Sequence, residues 1–298
     1  MDDQAAGLRK LLGQVPDLHA VGLFGNDAVL TARATAALAD SLARRGTALW
    51  VLDELPPPTN VAAQFGIHPH AHLSHLAEGI VMPADALQGI TSGAQLLSVQ
   101  GGARPLAEVA ESGWQAFMHG MDALPTRPEW LLIHADIGCG EHSLALMAET
   151  RILITQDRKS ALTDSYGLLK AAEQNRPARD WQVLMMNAGN ADDARHAFDN
   201  LASTARRFLN LDLRLLGIVP KDARLEQAAR QMRPLLEIAP HCAAALAIRR
   251  LADTLFEQIG DKAFQWHDFW QKMWLFSRHA THMPATQGMQ TRWDERPW

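Results

Sequence analysis

One stretch, residues 19–55, constrains the fold of this chain more than any other, because it carries the pattern of a strand, a loop, a long helix and a second strand. Residues 19–24 form a short apolar run that leads into a glycine, and residues 31–45 repeat alanine and leucine at helical spacing. Residues 48–52 are apolar without alternation, as in a parallel strand buried on both faces, and Asp53 follows. The stretch therefore predicts a βαβ unit.

The loop inside this unit is residues 25–32, with the sequence Gly-Asn-Asp-Ala-Val-Leu-Thr-Ala. In nucleotide-binding βαβ units this loop is rich in glycine, so that backbone N–H groups surround a phosphate, and it carries a lysine. Here only Gly25 adopts positive φ without strain, since a left-handed conformation at Ala28 or Leu30 costs roughly 1–2 kcal/mol. The loop contains no lysine, and Asp27 would repel a phosphate. The sequence therefore predicts the βαβ backbone of a nucleotide site without the glycines and the lysine that bind phosphate.

Strand and helix patterns continue to alternate along the chain. This alternation predicts a mostly parallel, doubly wound α/β sheet covered by helices on both faces. Ligands of such sheets bind beyond the carboxyl ends of the strands. Expected strands are residues 96–99, 130–133, 151–155, 183–187 and 215–220, and expected helices are 105–121, 160–173, 192–209, 224–232 and 241–259. The functional rim is then predicted at residues 25–32, Asp53, residues 134–138, Asp157 and Asn187.

Composition narrows the function classes. A chain of 298 residues with 47% hydrophobic content is long enough to bury a large core, and its net charge of −5 offers no basic field for nucleic acid. Two cysteines in unrelated contexts favour a reducing compartment over a disulfide framework. No apolar run is long enough to span a membrane, and the amino terminus lacks a secretory signal pattern. We therefore expect a cytoplasmic protein, either soluble or peripheral at the inner face of the membrane.

Both ends of the chain differ from the central pattern. Residues 1–17 predict a short amphipathic helix and a linker, and residues 18–260 the α/β domain. Residues 261–277 predict an aromatic amphipathic helix, and residues 278–298, which lack periodicity, a disordered tail. The aromatic helix either packs on its own domain or contacts a partner or a membrane surface. The side chains on its aromatic flank are Trp266, Trp270, Met273 and Trp274.

Four histidines between residues 68 and 75 resemble a set of metal ligands. Pro69 interrupts the spacing, however, and no cysteine or acid completes a ligand set. Only His72 and His75 are spaced to share one helix face. We therefore predict capping or solvated histidines and no metal site.

Four segments together resemble the MinD/ParA-type deviant P-loop ATPases, and among them the flagellar number regulators of the FlhG (FleN) type. Residues 3–9, DQAAGLR, match the DQAxxLR motif, and residues 60–67 are similar to NVDxxLGL. Residues 162–170 are similar to ITDAYALIK, and residues 207–222 to the FL…LGxIPxD segment. Each match is weak alone, but their order and spacing are specific. The resemblance covers residues 3–255.

The sequence departs from that family mainly at the positions that bind phosphate and Mg²⁺. Against the pattern GKGGVGKT, which begins at Gly25, Asn26 stands at the signature lysine, Thr31 at the phosphate lysine and Ala32 at the Mg²⁺-binding hydroxyl. Asp53 remains from a pair of aspartates, and its companion position holds Leu55. His134 replaces the aspartate that ends the third strand, and Asn187 matches a residue that reads adenine in the family. Loss of both lysines and most of the metal shell removes the charge neutralisation on which phosphoryl transfer depends.

The resemblance implies a pseudo-ATPase that regulates flagellar number or placement, with ATP and Mg²⁺ binding lost or weak. In the family, the DQAxxLR helix engages FlhF, a signal-recognition-type GTPase, and stimulates its hydrolysis. That assigns partner binding to Asp3, Gln4, Ala5, Leu8 and Arg9. Because ATP drives dimer formation and membrane attachment in the family, this chain would be a monomer or a nucleotide-independent dimer, and an accessory or competitor to a MinD-like paralogue.

Two alternatives stay open at this point. One is an active ATPase with a remodelled loop, in which His134, Asp136 and Asp53 supply the metal and water contacts. The other is an adaptor in a different MinD-like system, such as cellulose synthesis or septum placement. The intact DQAxxLR motif speaks against the second alternative.

Overall fold

A computed structural model describes residues 18–91, 93–178, 180–258 and 264–282, and within them one eight-stranded sheet forms the centre. The strands are β1 His19–Gly25, β2 Leu49–Asp53, β3 Gln88–Thr91, β4 Ala94–Ser98, β5 Trp130–His134, β6 Thr150–Thr155, β7 Asp180–Ala188 and β8 Leu213–Pro220. The strand order is β3-β4-β2-β5-β1-β6-β7-β8, and every pairing is parallel except β3 with β4. The predicted fold class is confirmed.

Helices cover both faces of the sheet, as the continuous burial of the central strands requires. The helices are α1 Ala28–Ala43, α2 Leu73–Ala77, α3 Pro83–Ala86, α4 Glu111–Asp122, α5 Lys159–Asn175, α6 Ala191–Leu209, α7 Ala223–Gln231, α8 Leu235–Ile238, α9 Ala243–Gln258 and α10 Trp266–His282. One hydrophobic core lies under α1, α7, α8 and α9, and a second lies under α4, α5, α6 and α10. Short 3₁₀ helices span Ala62–Phe65, Arg104–Leu106, Ile137–His142 and Leu144–Met147.

The structure differs from the sequence analysis at three local features, two helix starts that were predicted wrongly and one strand that was missed. The helix predicted over residues 105–121 is a 3₁₀ turn followed by α4, which begins only at Glu111. The antiparallel edge strand β3 was missed because Gln88–Thr91 has the composition of a loop, with one buried residue. Helix α1 begins at Ala28, three residues before the predicted start, because Asp27 caps it.

The aromatic flank of α10 lies inside the protein. Trp266, Trp270, Met273 and Trp274 are between 0 and 5% exposed. The indole of Trp274 stacks on that of Trp114 with centroids 5.0 Å apart, and Trp266 meets Trp50 edge-on. A membrane or partner contact through these four side chains is therefore not supported, because the sheet and α4 already bury them. The helix continues to His282, past the predicted end at residue 277.

No helix within the described ranges combines the length and the apolar composition needed to cross a bilayer. The predicted partner-binding helix, with Asp3, Gln4, Ala5, Leu8 and Arg9, lies outside the described residues, as does most of the predicted tail.

Candidate functional site

The connection between β1 and α1 is two residues long, and it is built around a carboxylate instead of an anion-binding loop. Asp27 is the N-cap of α1, and its Oδ1 accepts a hydrogen bond from the N–H of Leu30 at 3.0 Å. Its backbone oxygen accepts from the N–H of Thr31 at 2.9 Å and from the Thr31 hydroxyl at 2.8 Å. The place where a helix N-terminus attracts phosphate therefore holds the chain's own negative charge.

The two family positions for phosphate and Mg²⁺ contact are turned into the core. Thr31 is 1% exposed and Ala32 is fully buried. A Cβ on Gly25 would lie 2.2 Å from Thr31 Oγ1, so the close approach of α1 to the end of β1 requires glycine at this position. Asn26, at the signature lysine position, is exposed to solvent. Gly25 thus serves helix packing in this structure.

Asp53 ends β2 with both carboxylate oxygens engaged. Its Oδ2 accepts hydrogen bonds from the N–H of Val61 at 2.6 Å and of Ala62 at 3.3 Å. Its Oδ1 lies 2.9 Å from Nδ1 of His134, which the register of β2 and β5 places directly opposite. Asp53 is 1% exposed. Both oxygens of the carboxylate are therefore engaged by protein groups, and a Mg²⁺ ion would have to compete with these hydrogen bonds.

His134 is fully buried at the end of β5 and takes the place of a second carboxylate beside Asp53. Its Nε2 has no hydrogen-bond partner among the described residues. Asp136, the other acid expected near a metal, caps the 3₁₀ turn Ile137–His142 by accepting from the N–H of Gly138 at 2.7 Å. Across the described ranges no three His, Cys, Asp or Glu side chains are grouped to hold a metal ion.

Glu54 is the residue that sequence reasoning missed. It is 1% exposed, and its Oε2 accepts from the N–H of Asp136 and the hydroxyl of Ser143, each at 2.8 Å. The N–H of Leu144 donates to Oε1. Burial raises the pKa of Glu54 to about 8, and the hydrogen bonds from Asp136, Ser143 and Leu144 oppose part of that rise. The available signal was the alternation of side chains along β2, which continues to residue 54. It places Glu54 on the same face as Leu52, opposite Asp53, and that face is also covered by a hydrophobic core.

Asn187 is the sixth predicted site residue, and the structure separates it from the others. It lies near the end of β7 in the left-handed region, with φ of 56°. Strand β6 intervenes between β7 and β1, whereas Gly25, His134 and Asp53 follow one another on β1, β5 and β2. The structure therefore brings together Gly25, Thr31, Asp53 and His134 along one rim, with Asn187 farther along the same edge.

A cleft of about 110 Å³ opens between the β1–α1 connection and the start of α5. Sites for small molecules and cofactors are typically ~300–1,000 Å³, so this cleft does not enclose the volume of a nucleotide. Asp27 and Asp164 line it together with Asn26, Gln156 and Arg158. With the helix N-terminus capped, Thr31 buried and both oxygens of Asp53 hydrogen-bonded, the residues present do not fit Mg-ATP.

The histidine run belongs to the packing of a surface loop. His70 lies within hydrogen-bond distance of the Asp85 carbonyl and the Gln88 side chain, at 3.0 and 2.6 Å. His72 Nδ1 lies 2.6 Å from the Ser98 hydroxyl, and the His72 N–H donates to His75 Nδ1 at 3.3 Å. These histidines connect the region of α2 to β3 and β4. The contact between His72 and His75 lies at the N-terminus of α2, as the capping interpretation predicts.

No protein-family model matches the chain. Two curated proteins are similar to it in sequence. The antiactivator FleN of Pseudomonas aeruginosa is 23% identical over 217 residues, 72% of this chain and 78% of that protein. The flagellum site-determining protein YlxH of Helicobacter pylori is 23% identical over 247 residues, 81% of this chain and 82% of that protein.

Solved structures agree on the fold. The MinD cell division protein of Aquifex aeolicus matches with a TM-score of 0.61 at 15% identity, covering 80% of this chain and 97% of that one. The septum site-determining protein MinD of Pyrococcus horikoshii, complexed with Mg-ADP, matches with a TM-score of 0.59 at 16% identity, covering 83% of this chain and 100% of that one. These matches establish the MinD/ParA P-loop NTPase fold.

Proposed function

We propose that this chain, a MinD/ParA-type protein of the FlhG (FleN) group, regulates flagellar number or placement as a pseudo-ATPase that works without nucleotide. The kinship with FleN and YlxH, both named for flagellar roles, supports the flagellar part of the proposal. The observation that carries the rest is the Asp27 carboxylate on the N-terminus of α1, where a P-loop would hold phosphate.

Electrostatics supports the loss of nucleotide. A phosphate at this helix terminus would compete with the Asp27 side chain for the N–H of Leu30 and would meet its charge. Among the described residues that line the cleft beside it, the carboxylate of Asp164 adds a second negative charge, Arg158 is the cation, and none is a lysine. Phosphoryl transfer relies on cations and metal held against the phosphates, and one arginine facing two carboxylates is a weak replacement for the two lysines of the family pattern.

The partner that we propose is an FlhF-like GTPase of the signal-recognition type. The support is the DQAxxLR match of residues 3–9, whose helix would present Ala5 and Leu8 on one face. Because the rim does not fit ATP, we propose that this contact is constitutive and that the chain acts as a monomer or a nucleotide-independent dimer. It would then work beside, or compete with, a MinD-like paralogue that still cycles with ATP.

The test is the GTPase rate of the cognate FlhF-type protein in the presence of a peptide of residues 1–13. Gln4→Ala and Leu8→Ala peptides test the motif, and Ala6→Ser, at a variable position of the motif, is the matched control. We expect stimulation by the native and control peptides, and loss of it in both motif variants. No stimulation by the native peptide or the full chain would overturn the partner assignment.

A further inference from the structure

Two successive acids, Asp53 and Glu54, leave β2 toward opposite faces of the sheet. Val51 belongs to the core under α1 and Leu52 to the core under α10, so alternation sends Asp53 to the first face and Glu54 to the second. Both acids are 1% exposed. Two adjacent buried carboxyl groups need partners on both sides of the sheet, and each finds them in a different loop.

Asp53 binds the loop that follows β2. Its Oδ2 receives the N–H groups of Val61 and Ala62, which open the 3₁₀ helix Ala62–Phe65. The loop before it, residues 54–61, is long and contains three consecutive prolines, and the Asn60 side chain closes its end by accepting from the N–H of Ala63 at 3.1 Å. The carboxyl group of Asp53 therefore fixes the start of this 3₁₀ turn.

Glu54 binds the segment that follows β5. Its bonds reach both ends of that segment, the N–H of Asp136 at the beginning and Ser143 with Leu144 at the junction of the two 3₁₀ helices. Between these contacts the chain is kinked at Gly140, which adopts φ of 53°. One side chain thus closes a loop of about nine residues, a length at which loop closure costs entropy that the bonds offset.

We propose that Asp53 and Glu54 act as a double tether, which holds both rim loops in one arrangement that needs no nucleotide. The γ-phosphate and Mg²⁺ of nucleotide switches order two loops from outside. Here the last residue of β2 and the residue that follows it order two loops from within. This inference rests on the proposed function only for its biological interpretation, namely that the regulator keeps one rim conformation whether or not nucleotide is present. The tether itself is a property of the loops and is tested without a partner.

The experiment is hydrogen–deuterium exchange of the full chain over residues 60–66 and 136–146. For the wild type we expect protection in both segments, unchanged by saturating Mg-ATP. Asp53→Ala should speed exchange in residues 60–66 alone, and Glu54→Ala in residues 136–146 alone, by about tenfold or more.

Conservative variants separate tethering from loss of fold. In Asp53→Asn the amide oxygen can still accept from Val61 and Ala62 while the NH₂ group faces His134 Nδ1, so protection of residues 60–66 should be retained. Ser143→Ala removes one of the bonds to Glu54 and should speed exchange in residues 136–146 to a smaller extent. Glu141→Gln, a change of the same chemistry on a side chain that is 44% exposed, is the matched control and should leave exchange unchanged.

Rapid exchange of either segment in the wild type, or protection that appears only with Mg-ATP, would overturn the tether. So would equal acceleration of both segments by each single variant or by Ser143→Ala. These outcomes are independent of the GTPase assay: stimulation without protection refutes the tether and keeps the proposed function, and protection without stimulation does the reverse.

Discussion

At the scale of single residues, the acids of the rim stabilise the fold by accepting hydrogen bonds from backbone N–H groups. The absence of lysine from the first loop and the unfavourable charge of Asp27 follow from the sequence alone. That Asp27 caps α1 does not, because a cap depends on where the helix begins, and the periodic pattern was clear only from Thr31 onward. Glu54 was missed because glutamates are mostly exposed, and a glutamate two residues before three prolines has the sequence context of a surface loop.

Glu54 should make stability depend on pH. Burial raises its pKa from 4.5 to about 8, so the folded protein binds a proton that the unfolded chain releases between these values. The contribution of this group is therefore complete below pH 4.5 and is lost as pH rises toward 8, with a limiting slope of about 1.4 kcal/mol per pH unit. Denaturant unfolding between pH 5 and about 9 should show this decline in the free energy of unfolding.

Two matched variants test whether Glu54 causes the decline of the free energy of unfolding with pH. Glu54→Gln cannot titrate and should flatten the pH profile, although its NH₂ group will oppose the N–H of Asp136 or of Leu144 and lower stability overall. Glu141→Gln should keep the native slope. A profile for Glu54→Gln that parallels the wild type would show that the raised pKa of Glu54 is not the cause.

At the scale of elements, long periodic helices were predictable and their contacts were not. The helix predicted over residues 192–209 is observed as Ala191–Leu209, and the helix over residues 241–259 as Ala243–Gln258. The spacing of the aromatic residues also predicted that they share one face of α10, but it does not indicate which part of the protein covers that face. The partner is Trp114 with its neighbours on α4, which lies more than a hundred residues earlier in the chain.

Trp270→Ala tests whether α10 is part of the core. Trp270 is fully buried, with its ring 5.5 Å from that of Phe117, so its truncation should lower the free energy of unfolding by about 3–5 kcal/mol. Leu275→Ala, on the same helix at 43% exposure, is the control and should change stability by less than about 0.5 kcal/mol. Denaturant unfolding measures both, and vesicle flotation should show no difference between the variants and the wild type. Native stability with lost vesicle binding in Trp270→Ala would instead assign the flank to lipid.

At the scale of the whole molecule, three features could be predicted from the sequence. They are the fold, the edge of the sheet at which the candidate site lies and the similarity to known proteins. Alternation of strands and helices fixed the α/β class, and ordered motif matches pointed to the MinD/ParA-type proteins. The conformation of the rim was out of reach, because it depends on side chains from β2, β5 and α1 that meet only after folding. The structure places the chain's own carboxylates where a nucleotide enzyme keeps free donors and open metal ligands.

The most direct test of this account is a calorimetric titration of the full-length protein with Mg-ATP and Mg-ADP, with an ATP-hydrolysing MinD-like protein as the positive control. Because the Asp27 carboxylate occupies the N-terminus of α1 and both oxygens of Asp53 are engaged, we expect no saturable binding up to millimolar nucleotide. Saturable micromolar binding, above all binding that Asp53→Ala abolishes, would contradict the account and favour an ATPase with a remodelled loop.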